Sequence, residues 1–324
     1  MTCDTATPRH DIGLDDILAA RVRLFGAGAP AQLRKTPLLK LDGASLGLAC
    51  AEVWFKLEHL QLGGSFKARG MFNRLLSTQV PRAGVVIASG GNAGIACAAA
   101  ARAVGAPCTV FVSSVSPMAK REKLAALGAS VAAAGDHYPQ ALQACRERAA
   151  ETGAMLVHAY DQVEVVAGAG TLALEIEEQA GLPDAVLVSV GGGGLIGGLA
   201  AGFASRTRVV ALEPEACPTL YEARRQGHPV DVDVGGIAAD SLGARRIGDI
   251  AWTVTQRHVD TALLVPDEAI REAQRWMWNE LRLAVEPAAA VPLAALRCGA
   301  CTPGPDARVC LIVCGANLDP ASLN

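Results

Sequence analysis

The stretch GGSFKARG at residues 63–70 places a lysine, Lys67, where a turn meets a helix. It follows the apolar run VWFKL at residues 53–57, which is typical of a strand, and Ser65 is predicted to cap the helix that begins after the glycines. A lysine held there is poorly solvated and close to the positive end of the helix dipole, so its amine can be nucleophilic. These eight residues alone also fit an ordinary lysine on a helix surface.

Strand and helix patterns alternate on both sides of Lys67. The N-terminal wave has a helix at 14–24, an extended entry at 35–39, strands at 84–88, 108–112 and 130–134, and helices ending near residue 104 and at 119–127 and 139–151. The second wave begins near Asp161. Its predicted helices are at 162–180, 217–225, 267–283 and 287–296, with a further helix that ends near residue 204. Its predicted strands are at 185–190, 209–212 and 308–314, and residues 231–248 are predicted to form an ordered loop. The alternation predicts an α/β fold of two mainly parallel sheets flanked by helices, with ligands bound in the cleft between two lobes.

Composition favours a small-molecule partner. The 324 residues are 51% hydrophobic and carry a formal net charge of -3, so neither a basic nucleic-acid stripe nor a polyelectrolyte tail is expected. The N-terminus, MTCDTATPRHD at residues 1–11, lacks the apolar core of a signal peptide, so we expect a cytoplasmic protein whose ten cysteines are reduced.

Residues 185–205 form the window most similar to a membrane span. Four consecutive glycines at 191–194 make a poor helix, so a buried strand, a glycine loop and a helix explain the window better, and no membrane association is expected. Zinc binding by Cys298, Cys301, Cys310 and Cys314 is the other alternative, but the apolar run between the last two favours a buried strand.

The glycine run at 191–194 ends one predicted strand and opens a helix. Its amides can point at an anion with the helix dipole behind them, which suits a phosphate. The spacing of GGGGLIGG does not match a dinucleotide-binding fingerprint, so a phosphate monoester is the simpler interpretation. A turn needed only for packing explains one glycine better than four.

Two further turns follow strands. In SGGN at 89–92, the amides and the Ser89 hydroxyl could hold a carboxylate, and the Asn92 amide could donate to a phenolate oxygen or simply cap a helix. In CGAN at 314–317, Cys314 presents a neutral thiol, which by itself is more typical of a core residue.

These motifs together resemble the fold-type II pyridoxal-phosphate enzymes, and within them the serine/threonine dehydratases and serine racemases. GSFK at 64–67, SGGN at 89–92, the four glycines at 191–194 and CGAN at 314–317 occur in the family's order, and the resemblance extends from about Thr36 to Asn317. It implies a large cofactor-binding domain of residues 1–81 and 162–324, a small mobile domain of residues 82–161, and a homodimer.

The resemblance also implies a role for each matched residue. Lys67 would form the Schiff base with pyridoxal phosphate, Phe66 would pack near the ring, Asn92 would bond its 3-oxygen, and Cys314 would face its ring nitrogen. The phosphate would be held by Gly191, Gly192, Gly193, Gly194 and the amide of Leu195. The substrate carboxylate would be held by Ser89, Gly91, Asn92 and Ala93, with Asp240 and Ser241 beside the substrate side chain.

A neutral thiol cannot stabilise a protonated pyridinium as an aspartate would, which favours elimination over transamination. We therefore expect Lys67 to remove the α-proton of a β-hydroxy amino acid such as serine or threonine, giving a 2-oxo acid and ammonia. The resemblance implies that the cofactor phosphate assists the departing hydroxyl. A racemase, a β-replacement synthase and a non-catalytic amino-acid or cofactor binder remain alternatives.

The sequence departs from the family at two places. Racemases carry a serine as second acid/base where this chain has Gly90, which argues against efficient racemisation. The divalent-metal site of the racemases is matched by Glu213 but has Thr219 at its second carboxylate, so Glu213, Cys217 and Thr219 are candidates for a monovalent site such as K+. A salt bridge of Glu213 without any ion is equally open.

Glu286 matches a glutamate that lies near the cofactor ring in the family. It could equally be a residue at the start of a helix, where the helix dipole favours a negative charge.

Overall fold

The computed structural model describes residues 11–29 and 33–323. Residues 1–10, on which the expectation about export depends, lie outside this part of the chain.

Within the described residues the chain forms ten strands and twelve α-helices. The strands are β1 (Leu38–Asp42), β2 (Glu52–Lys56), β3 (Val85–Ala88), β4 (Cys108–Val112), β5 (Ser130–Ala133), β6 (Met155–Val157), β7 (Ala185–Ser189), β8 (Arg208–Pro214), β9 (Thr261–Val265) and β10 (Arg308–Ile312). The helices are α1 (Leu14–Phe25), α2 (Lys67–Leu76), α3 (Asn92–Ala103), α4 (Met118–Ala126), α5 (Tyr138–Thr152), α6 (Val163–Ala180), α7 (Gly194–Phe203), α8 (Thr219–Gln226), α9 (Ala239–Leu242), α10 (Asp249–His258), α11 (Asp267–Leu281) and α12 (Pro287–Arg297).

The strands form two open sheets, as predicted. The larger has the order β1-β2-β10-β7-β8-β9 and is parallel except for the antiparallel pair β1 and β2. The smaller has the order β5-β4-β3-β6 and is parallel throughout. Parallel strands carry their following loops at one edge, so the turns after β3, β7 and β10 can meet in a cleft.

Helices cover both faces of the smaller sheet. Along β3, Val85 and Ile87 belong to a core with residues of α2 and α3, whereas Val86 and Ala88 pack with residues of α5. This two-residue alternation is that of a strand buried on both faces. The helix that begins with Lys67 therefore shares a core with the smaller sheet.

Helix α6 crosses α2 and α7 at very short distance. A Cβ on Gly168 would lie 2.5 Å from the carbonyl oxygen of Arg69, and a Cβ on Gly198 would lie 2.5 Å from the amide nitrogen of Gly170. Only glycine permits backbones to approach this closely. These contacts fix the helix that carries Lys67 against the centre of the molecule.

A buried ionic cluster joins β2, α2 and α6. The Lys56 Nζ lies 2.5 Å from Glu175, and the Arg69 Nη2 lies 2.8 Å from both Glu58 and Glu175. All four side chains are buried. Buried charges require such pairing, because an unpaired charge in an apolar interior is strongly unfavourable.

Four elements differ from the sequence-based expectation. The strands β6 and β9 and the helix α10 were not predicted, and the loop expected at 231–248 contains the short helix α9. The window at 185–205 forms β7, a glycine turn and α7, as predicted. No helix within residues 11–29 and 33–323 is long and apolar enough to cross a membrane.

Candidate active site

Lys67 lies at the start of α2, directly after a tight turn held against the end of β10. Gly63 and Gly64 have φ values of 73° and 76°, which glycine adopts without steric cost. The amide of Phe66 then donates to the carbonyl oxygen of Cys314 at 3.0 Å. This contact brings the lysine and the cysteine of two separate sequence motifs to one place.

Ser65 does not cap α2, contrary to the prediction. The helix begins at Lys67 with Phe66 as its N-cap. Ser65 is extended, with φ -162° and ψ 161°, because its backbone pairs with Gly315 in an antiparallel bridge. Its buried hydroxyl has no hydrogen-bond partner among the residues that the structure describes. Backbone pairing, rather than a side-chain cap, therefore positions the beginning of α2.

The Lys67 side chain is half-buried, and its amine is hydrogen-bonded within the protein. Its Nζ donates to the carbonyl oxygen of Ala159 at 2.7 Å and lies 5.1 Å from the centre of the Phe66 ring. Burial lowers the pKa of Lys67 to about 8, although Cys314 and Glu286 oppose this shift. A far larger fraction of this amine is unprotonated near neutral pH than for an ordinary lysine.

The glycine run at 191–194 joins β7 to α7. Gly193 has a φ of 88°, and a side chain on Gly192 would lie 2.4 Å from the Tyr160 ring. Within the described part of the chain, no group accepts a hydrogen bond from the amides of residues 191–195. Unpaired amides at a helix N-terminus are a ready site for an anion, so this turn fits the phosphate of pyridoxal phosphate.

Asn92 begins α3 and reaches across the cleft. Its Nδ2 donates to Glu286 at 2.7 Å, and its Oδ1 accepts from Asn317 at 2.6 Å. The N-cap of α3 is Gly91, so the alternative that Asn92 caps this helix is wrong. Glu286 is the N-cap of α12 and also faces the cleft, which combines the two interpretations of this residue.

Cys314 follows β10 and lines the same cleft. Burial raises the pKa of its thiol well above the ordinary value, and the carboxyl of Glu286 acts in the same direction. Cys310, which the zinc alternative paired with it, lies inside β10. The thiol of Cys314 is therefore a neutral neighbour for a cofactor ring.

The structure brings the predicted cofactor-binding residues together. One cleft is lined by Phe66, Lys67, Asn92, the glycines at 191–194, Leu195, Glu286 and Cys314. The predicted substrate residues Ser89, Gly91 and Ala93 flank Asn92 in sequence, and the Ser89 hydroxyl accepts from the Gly91 amide at 3.4 Å. Asp240 is exposed and paired with Lys120 at 2.5 Å, while its neighbour Ser241 lines the cleft.

A hydroxyl lies close to Gly90, which itself has no side chain. The Ser116 Oγ is 3.2 Å from the position that a Cβ on Gly90 would take. Ser116 precedes α4 and is distant in sequence from Gly90, so the motif around Gly90 gives no indication of this contact. Gly90 itself therefore supplies no proton donor, and the Ser116 hydroxyl is the nearest side-chain group to its position.

Glu213 is the penultimate residue of β8, and its carboxylate lies at the start of α8. It accepts hydrogen bonds from the amides of Leu220 and Tyr221 at 2.8 and 2.7 Å and from the Thr219 hydroxyl at 2.9 Å. Burial raises the pKa of Glu213 to about 7. The Cys217 thiol points elsewhere, to the carbonyl oxygen of Gly235 at 3.2 Å. In the described ranges no salt bridge involves Glu213, and no group of three metal-ligating side chains occurs, so the cation site stays a prediction.

Sequence reasoning missed the segment between β6 and α6. Tyr160 lines the cleft, Ala159 holds the lysine amine, and the Asp161 carboxylate accepts from the amides of Asp249 and Ile250 at the start of α10. The polar stretch HAYDQ at 158–162 after a short apolar run was the available signal.

Glu286 is expected to make the stability of the apoprotein depend on pH. Burial raises its pKa from 4.5 to about 7, so the folded chain retains a proton that the unfolded chain releases. This contribution is complete below pH 4.5 and is lost as the pH rises to about 7. Glu286→Gln, which keeps an acceptor for Asn92, should therefore gain stability relative to the wild type between pH 5 and 8, by up to about 3 kcal/mol.

Urea unfolding of the wild-type and Glu286→Gln apoproteins at pH 5 and at pH 8 measures this gain in stability. The matched control is Glu268→Gln, which changes an exposed glutamate on α11. A Glu286→Gln difference that is the same at pH 5 and pH 8 would contradict the assignment.

The fold and the site together define a pyridoxal-phosphate enzyme of fold type II. The chain belongs to the family of pyridoxal-phosphate dependent enzymes, which it matches over residues 30–315. L-threonine ammonia-lyase of Thermotoga maritima is 34% identical over 275 residues, covering 83% of this chain and 68% of that protein. Beta-hydroxyaspartate dehydratase of Paracoccus denitrificans is 32% identical over 314 residues, covering 94% and 96%. Serine racemase from Dictyostelium discoideum has a similar structure, with a TM-score of 0.83, 29% identity and coverage of 95% and 99%.

Proposed function

We propose that this enzyme eliminates water from a β-hydroxy amino acid and releases a 2-oxo acid and ammonia. The observation that carries the proposal is that one cleft contains a lysine amine of lowered pKa, a glycine turn with unpaired amides and a neutral thiol. The relatives named as an ammonia-lyase and as a dehydratase support the same reaction class.

Each group in the cleft has a part in this reaction. Bound pyridoxal phosphate supplies an electron sink that acidifies the α-proton of the amino acid. The amides of residues 191–195 hold the phosphate, and the turn at residues 89–93 binds the substrate carboxylate. The Lys67 amine takes the α-proton, because its lowered pKa leaves it partly unprotonated. Loss of the β-hydroxyl as water leaves an enamine, which hydrolyses to the oxo acid and ammonia.

Cys314 and Glu286 set the electrostatics around the Lys67 amine. A buried neutral thiol adds no negative charge near the ring nitrogen, and Glu286 with a pKa near 7 is only partly ionised. The site therefore contains little fixed negative charge to stabilise a cation on the ring. This favours elimination over transamination.

Racemisation is the second candidate, and one contact favours it. The Ser116 hydroxyl lies beside Gly90, the position at which the resemblance to racemases implies a second acid/base, so Ser116 is our candidate for an opposite-face proton donor. The serine racemase from Dictyostelium discoideum is among the similar structures.

One assay separates these functions. The holoenzyme is incubated with the L and D forms of serine, threonine and 3-hydroxyaspartate, and oxo acid, ammonia and the remaining enantiomers are measured. Equal amounts of oxo acid and ammonia from one of them support the elimination. Inversion of configuration without ammonia, abolished in Ser116→Ala, would establish the racemase instead, and neither product from any substrate would refute both.

We further propose that the protein works in the cytoplasm as a homodimer and that residues 82–161 move as a small domain over residues 1–81 and 162–324. The smaller sheet lies wholly within residues 82–161, and two lysines of α4 bond residues on the far side of the cleft. Helix α2 shares a core with this sheet, so the movement would include a shift at that contact. Such bonds would form as the cleft closes and break as it opens.

A further inference from the structure

A continuous series of hydrogen bonds runs from the surface of α4 to the buried carboxyl of Glu286. The exposed Lys123 donates from Nζ to the Asn317 Oδ1 at 2.6 Å. The Asn317 Nδ2 donates to the Gly63 carbonyl oxygen at 2.8 Å and to the Asn92 Oδ1 at 2.6 Å. The Asn92 Nδ2 donates to Glu286 at 2.7 Å. The series therefore connects an ammonium group outside the cleft to a side chain that lines it.

The donors and acceptors fix the direction of this series. An ammonium group can only donate and a peptide carbonyl can only accept, so Asn317 must turn its oxygen to Lys123 and its NH2 to Gly63 and Asn92. Asn92 must then offer its oxygen to Asn317. Its own NH2 is left facing the cleft, as a donor toward Glu286.

Lys123 and Asn317 belong to opposite sides of the cleft. Lys123 lies on α4, the helix that connects β4 to β5 of the smaller sheet. Asn317 follows β10 of the larger sheet. No carboxylate in the described residues pairs with Lys123, so its partner across the cleft is the neutral amide. Lys120, one helical turn earlier, also crosses the cleft, but it ends on the exposed Asp240 and its bond does not continue to Asn92.

We propose that Lys123 is a positioning residue that holds the Asn92 amide in its working orientation when the cleft is closed. The bond to Lys123 anchors Asn317, and Asn317 keeps the Asn92 NH2 directed at the position of the cofactor 3-oxygen. The inference rests on the role proposed above for Asn92 as the donor to that oxygen.

The test replaces Lys123 in the holoenzyme by arginine, glutamine, methionine and glutamate. Arginine and glutamine keep a donor for Asn317, methionine has none, and glutamate would favour a flipped amide. We expect the dissociation constant of pyridoxal phosphate to stay within about threefold for arginine and glutamine, and to rise about tenfold for methionine and about 100-fold for glutamate. The visible absorbance maximum of the bound cofactor should shift for methionine and glutamate only.

Lys120→Met is the matched control, because it removes a second bond across the cleft without touching the series of amides. It should leave the absorbance maximum unchanged. Three results would overturn the proposal. The first is an equal shift of the absorbance maximum in Lys120→Met, and the second is a glutamine variant that binds pyridoxal phosphate as weakly as the methionine variant. The third is wild-type affinity and absorbance in the methionine and glutamate variants. Cofactor affinity and absorbance do not depend on turnover, so they decide the role of Lys123 even if every tested amino acid proves inert.

Discussion

Replacement of Lys67 by alanine should lower kcat/KM for the elimination by about 10³-fold or more. The substitution removes the only amine among the described side chains that line the cleft. Lys67 combines three properties that the reaction needs: a fixed position at the start of α2, a pKa lowered to about 8, and a place beside the residues that bind the cofactor. The visible absorbance band of the enzyme-bound cofactor should disappear in the same variant.

Two further variants separate the chemistry of Lys67 from its charge and its packing. Lys67→Arg keeps a cation of similar length, but a guanidinium cannot release its proton near neutral pH, so it should be as inactive as alanine. Lys35→Ala removes an exposed lysine paired with Glu178 and should retain full activity. A Lys67→Ala protein that keeps both the absorbance band and turnover would refute the assignment of Lys67.

The sequence allowed prediction of the cofactor-binding part of the site, because each motif there is local. A strand, a glycine turn and a helix start are encoded by neighbouring residues, and the parallel sheet then collects the turns at one edge. The resemblance to the family then supplied the expectation that Lys67, Asn92 and Cys314 share one cleft, and these three residues do line one cleft. It failed for Ser65, because the partner that determines its conformation, Gly315, is distant in sequence.

The elements that were missed carry weak local signals. Strand β6 has only three residues, and α10 contains β-branched residues that lower helix propensity. The start of α10 is stabilised by the Asp161 carboxylate from a segment far earlier in the chain. Tertiary contacts of this kind supply what the local sequence lacks.

Side-chain contacts across the cleft could not be predicted either. Lys123 resembles any solvated lysine on the polar face of a helix, and nothing near it in sequence indicates Asn317 as its partner. The same holds for the hydroxyl of Ser116 next to Gly90. Such pairs are determined by how two separately encoded units meet.

Replacement of Arg69 by methionine should destabilise the folded apoprotein by about 3–5 kcal/mol, because it leaves two buried carboxylates without their shared cation. Arg69 donates from Nε and Nη2 to Glu58, both at 2.8 Å, and pairs with Glu175 at 2.8 Å. Burial raises the pKa of Glu58, but the charge and hydrogen bonds of Arg69 outweigh it and hold the pKa below the ordinary value. Methionine replaces the apolar stem but not the guanidinium, so the loss reports the missing charge and hydrogen bonds together with the space that the guanidinium filled.

The control for this prediction lies on the same helix. Arg74→Met removes a partly exposed arginine that lies 3.4 Å from Glu164, and should cost about 1 kcal/mol or less. In Arg69→Met, burial without the arginine raises the pKa of Glu58, so the variant should lose stability as the pH rises above about 4.5, where the isolated carboxyl ionises. Guanidinium unfolding of both apoproteins at pH 5 and 8 measures these differences. If the two substitutions cost the same, the cluster does not stabilise α2 through its charges, and the close glycine crossings with α6 must hold the helix and Lys67 in place.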